Sequence, residues 1–156
     1  MGQVLTTPHQ GGSIKHAAKF LASTLVLVLA LSGCAAGTDT TTTATVVNIL
    51  AAILGVTSDQ ATAGAGSLLG LASEKLTPQD YARVATAIPG SAGLVKKAGE
   101  MTGLGNHFGT IANVTTALGK VGLTPVQVQS MATNLSDIAG KAGGDAVKSL
   151  LIRALK

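Results

Sequence analysis

Aromatic residues are nearly missing from this 156-residue chain, which has no tryptophan, one tyrosine and two phenylalanines. Bases are held largely by stacking on aromatic faces, so this shortage argues against a nucleic-acid platform, and against a carbohydrate platform too. Cysteine occurs once, at Cys34, which excludes an internal disulfide. Small exported domains often need several disulfides, so Cys34 calls for another role. Charge is sparse as well, at 12% Asp, Glu, Lys and Arg. The basic residues are dispersed, with Lys96-Lys97 the one adjacent pair, so no electrostatic footprint for nucleic acid is present.

Against these shortages stands one apolar run, Phe20–Leu31, preceded by Lys15, His16 and Lys19 with no acidic residue. Twelve residues are too few for a bilayer span, which takes roughly 20. A positive start, a short apolar stretch and small residues behind it make a secretory signal. Leu31-Ser32-Gly33-Cys34 closes it in the form of a bacterial lipobox. Resemblance to bacterial lipoproteins implies that the Cys34 thiol takes a diacylglycerol and that the bond before it is cut. The freed amine is then acylated with a fatty acid such as palmitate. Rival readings are cleavage near Ala35-Ala36 by the ordinary signal peptidase, or an uncleaved anchor. Met1-Gly2 to Thr6 also fits the loose N-myristoylation pattern, which an export signal behind it contradicts.

The expected organisation is a signal peptide at 1–33, a lipidated Cys34 with a threonine-rich tether to residue 45, and a domain at 46–156. Removing Lys15 and Lys19 leaves nine basic against seven acidic residues over Cys34–Lys156, 123 residues in all. That length suits one domain with a modest core. The tether, Ala35–Thr45, has no large apolar residue and cannot bury enough surface to offset ordering entropy.

From Thr45 onward the periodicity is helical, and the expected fold is all-α with about five to six short helices. Val46, Val47, Leu50, Ile53 and Leu54 mark one face of a first helix ending at Gly55. Thr57 or Ser58 caps a second, with Ala61, Ala65, Leu68, Leu69 and Ala72 inward. Thr77-Pro78 starts a third with Tyr81, Val84 and Ile88 inside, and Pro89-Gly90 stops it. A short helix follows around Ala92–Met101, and another over Phe108–Leu118. Thr124-Pro125-Val126-Gln127 reads as a capping box, and Gly140, Gly143 and Gly144 set off a last helix. Leu76-Thr77-Pro78 returns as Leu123-Thr124-Pro125, which suggests a pseudo-repeat or simply one good helix start used twice.

Residues 55–94, GVTSDQATAGAGSLLGLASEKLTPQDYARVATAIPGSAGL, resemble a bacterial family of unknown function, the VcgC/VcgE type. Gly122–Pro125 is similar to a later segment of the same family, and the resemblance spans roughly residues 46–155. It implies an exported bacterial protein and carries no established activity over to it.

No catalytic constellation stands out, and the expectation is a protein that is not an enzyme, with no metal and no cofactor. His107 is the one histidine behind the leader, so no zinc pair exists, and no serine lies in a Gly-x-Ser-x-Gly setting. The acidic residues fall singly at helix starts and on surfaces. Three roles remain: a lipid-anchored interaction or structural module with an envelope protein partner, a carrier of an apolar ligand or peptide, and a bacteriocin-like membrane-active protein. The second uses an Ala/Gly-rich helical groove; the third uses Gly66-x3-Gly70 as a close helix contact. Ala35 behind the cysteine leans towards the periplasmic face of the outer membrane, with the membrane reached through lipid on Cys34.

Overall fold

The computed structural model describes residues 38–156, with side chains from Thr43 onward, and the described residues fold into seven helices and no strand. These are α1 (Thr38–Leu54), α2 (Ser58–Lys75), α3 (Pro78–Ala87), α4 (Ser91–Thr102), α5 (Ile111–Lys120), α6 (Pro125–Gly143) and α7 (Asp145–Ala154). The all-α expectation holds, with more helices than the five to six expected.

Helix α2 is the centre. Every residue from Ala61 to Ala72 is buried, so this helix is enclosed on all sides. Its sequence permits that because its small residues let neighbours approach all round it, and Leu68, Leu69 and Leu71 fill the gaps between them. Helix α4 packs along it most extensively, α1 and α5 flank it, and α7 packs against α6. Leu50, Val84, Ile88, Val114, Leu118, Met131, Leu135 and Leu151 complete the core from the surrounding helices. Each such side chain contributes about 1.5–3 kcal/mol by leaving water.

Four helix starts repeat one device. Thr57, Thr77, Thr110 and Thr124 each accept a hydrogen bond from the backbone N–H three residues on. Gln60 and Gln127 return the bond to the N-cap N–H, closing two capping boxes. The apolar residues just before two of these caps, Leu76 and Leu123, are buried and fix the entry of the chain. Each cap is worth about 1 kcal/mol. The two Leu-Thr-Pro starts lead into helices of different length: α3 ends at Ala87, whereas α6 continues to Gly143.

Four sequence expectations need correction. Helix α1 begins at Thr38 and not near Thr45. Threonine is a poor hydropathy signal but only a mildly unfavourable helix former, and the Thr43 hydroxyl donates to the Pro89 carbonyl at 2.6 Å. Ile53 lies outside the inner face and is 57% exposed. Phe108 precedes its helix, because Thr110 caps α5 by accepting from the Asn113 N–H. Gly140 and Gly143 lie within α6, and the break falls at Gly144, where φ is +83°. The signal peptide, the lipobox and Cys34 lie outside the described residues.

Candidate functional site

The small residues of α2 serve different neighbours. A Cβ on Gly66 would overlap the Leu94 carbonyl oxygen of α4 and sit 2.5 Å from the Ala98 Cβ. A Cβ on Gly70 would overlap the Phe108 ring, and one on Gly64 would meet the Met131 side chain. Gly66-x3-Gly70 is therefore spent on two contacts inside one fold. Among the described residues no single helix is long and apolar enough to cross a membrane. Thr43–Leu54 and Ser58–Lys75 meet the length and composition test only as a pair, bent by 110°.

Phe108 belongs to a latch that the sequence did not announce. Its ring is buried against Gly70, and its N–H donates to Glu74 Oε1 at 2.7 Å. The next amide, Gly109 N–H, donates to Glu74 Oε2, also at 2.7 Å. One carboxylate at the end of α2 thus holds two consecutive amides of the loop between α4 and α5. A backbone partner 34 residues away leaves no local pattern in the sequence. His107, the adjacent residue, is exposed, and its N–H donates to the Leu104 carbonyl at 3.1 Å.

The other acidic residues are placed mostly as helix-start charges or ion-pair partners. Asp59, Asp80 and Asp145 stand in first turns, where a negative charge meets the positive end of the helix dipole. Asp137 pairs with Lys148 at 2.7 Å, and Asp80 lies 3.6 Å from Arg153. The bond to Asp137 and its charge raise the Lys148 pKa from its ordinary value, and the charge of Asp145 adds to this. Among the described residues, no group of three His, Cys, Asp or Glu side chains is placed to hold a metal ion.

Tyr81 is half-buried on α3, and burial pushes its pKa above the ordinary value of 10.0, against a lowering hydrogen bond with Ser91. The raised value means that the neutral phenol is favoured in the folded state. Its stabilising contribution is complete below pH 10.0 and is lost as pH rises through the folded-state pKa. The chain has one tyrosine, so an alkaline titration of tyrosinate absorbance reads this group alone. The expected midpoint lies above 10.0 in the folded protein and falls on denaturation. Equal midpoints in the two states would show that Tyr81 gains nothing from burial.

A groove of about 510 Å³ opens between α1, α2 and the start of α4. Val47 and Leu94 form its buried floor, Thr43, Asn48 and Ser58 supply polar edges, and Lys97 is its one charged lining residue among the described residues. No acidic residue lines it among the described residues. An apolar floor with few polar groups at the edge is the usual build of a small-molecule pocket, and its volume lies within the common range of ~300–1,000 Å³.

No curated protein and no solved structure matches the chain. A family model does, over residues 15–156, a span that takes in the apolar run Phe20–Leu31, Cys34 and every described helix. The chain belongs to the family described as protein of unknown function VcgC/VcgE (DUF2780).

Proposed function

We propose that this protein is a lipid-anchored cell-envelope module that acts by holding a partner rather than by catalysis. The observation that carries the proposal is Leu31-Ser32-Gly33-Cys34 directly behind Phe20–Leu31, with Lys15 and Lys19 in front. The family match supports it by starting at residue 15, so leader and helices belong to one matched segment. Helix α1 begins four residues after Cys34, a linker of at most about 14 Å at ~3.5 Å per residue. A lipid on Cys34 would hold the helical domain close against the bilayer. Two or more acyl chains on one cysteine anchor stably, where a single chain binds only marginally. No amphipathic or basic surface is then needed for attachment. Ala35 leans the location towards the periplasmic face of the outer membrane.

Palmitate labelling in a bacterial host tests the anchor. Label is expected on the wild-type chain and is expected to vanish in Cys34→Ser. Label that persists in Cys34→Ser would overturn the assignment.

The groove between α1, α2 and α4 favours a second reading, a carrier of an apolar chain with an anionic head against Lys97. Lipid extracts of the same Cys34→Ser protein discriminate. Acyl lipid recovered with it would favour the carrier, and an empty extract would favour the module.

A further inference from the structure

Four large apolar side chains are exposed among the described residues: Ile49, Ile53, Val126 and Ile152. Two of them form one stripe, because Ile49 and Ile53 are four residues apart on α1. They are 40% and 57% exposed, although α1 already buries Val46, Val47 and Leu50 on its inner face. Nothing in the α1 core contact requires a second apolar stripe. With Ile138 these isoleucines line a groove of about 750 Å³ between the later half of α1 and the junction of α6 and α7. A stripe of exposed branched aliphatics thus forms one wall of this groove. Such a contiguous exposed patch marks a contact surface more often than a scattered isoleucine does.

The rim identifies the occupant. Asp137, Asp145, Lys141 and Lys148 surround the groove and balance to zero. A bilayer with anionic lipids, or any strongly charged partner, is met best by a rim of one sign, which this is not. Asp137 and Lys148 are already paired at 2.7 Å. Lys141 and Asp145 make no ion pair among the described residues, which leaves one unpaired cation and one unpaired anion beside the apolar stripe. A two-fold contact requires a surface that complements itself, so that residue i meets j and j meets i. An apolar stripe that can pack on its own copy and a cation beside an anion both meet that requirement.

We infer that this face is a two-fold interface with a second copy of the chain. The Ile49/Ile53 stripes of the two copies pack on each other across their grooves, and Lys141 of each meets the partner copy's Asp145. The inference rests on the interaction-module proposal in naming the partner, and it is independent of the lipid on Cys34.

Sedimentation equilibrium of the full-length chain tests it, in density-matched detergent for both wild type and Cys34→Ser. Both are expected at the mass of two copies. Ile49→Asp with Ile53→Asp is expected to raise the dissociation constant roughly hundredfold or more, as loss of central apolar contacts does. Lys141→Asp alone is expected to weaken the dimer, and Lys141→Asp with Asp145→Lys to restore it. Circular dichroism of each variant keeps a failure to fold apart from a failure to pair. A monomeric mass for both parent chains at micromolar concentration would overturn the interface. So would a well-folded charge swap that stays monomeric. A dimer that survives while palmitate labelling fails would overturn the anchor and support the interface.

Discussion

Gly66→Ala is expected to destabilise the protein by about 3 kcal/mol or more, although alanine is the better helix former. The added methyl would overlap the Leu94 carbonyl oxygen and crowd the Ala98 Cβ. A flexible side chain might have swung aside, but a backbone oxygen in the middle of α4 moves only if the helices separate. Separation would open the most extensive helix contact in the fold and loosen Leu94, which is buried against it. Domains of this size are stable by only ~5–15 kcal/mol, so the loss is a large share. Gly119→Ala supplies the contrast. That glycine lies in α5, has no positive φ, and a Cβ there meets nothing within 4 Å. It is expected to gain about 0.5–1 kcal/mol by restricting the unfolded chain. Chemical unfolding of the two variants should therefore shift in opposite directions. Shifts of the same sign would show that close approach at Gly66 is not what sets its cost.

Helix starts and buried faces were legible in the sequence because their causes are local. Thr77-Pro78 and Thr124-Pro125 cap α3 and α6 as their spacing requires, and Val84, Ile88, Val128, Met131 and Leu135 are buried where a period of 3.6 puts them. What stayed illegible depends on partners far along the chain. The glycines of α2 read as a flexible or membrane-like motif until Leu94 and Phe108 are seen pressed against two of them. Ile53 fits the apolar face of α1 by spacing, but burial depends on what stands opposite, and there it faces an open groove. The start of α1 was hidden because threonines carry no apolar period, while the tie from Thr43 to Pro89 spans 46 residues. Of the candidate sites, Cys34 was read from a motif with its own chemistry and lies outside the described residues. Neither groove was legible, since each is made by helices that meet only in the folded chain.

Phe108→Ala is expected to cost about 3–5 kcal/mol, the range for emptying a buried aromatic site. Phe108 is among the largest fully buried side chains, and its ring packs on a glycine that cannot fill the space it leaves. Glu74→Gln should cost less, about 1–2 kcal/mol. It leaves one acceptor where the two amides of Phe108 and Gly109 each had a carboxylate oxygen, and solvent at the exposed Glu74 weakens what is lost. The more informative quantity is the coupling between them. Ring and carboxylate hold the same loop from opposite sides of one residue: the ring anchors it to Gly70 while the backbone of that residue is held by Glu74. Once the ring is gone the loop can lift, and the amides no longer stay over the carboxylate. The double variant should then cost less than the two singles combined, by about 0.5–3 kcal/mol, as for other residues that share partners. Amide exchange at residues 104–110 should quicken in both single variants, with little change in α6. Additivity within about 0.5 kcal/mol would mean that the ring and the carboxylate act independently, and that the loop is held by its own turns rather than by the latch.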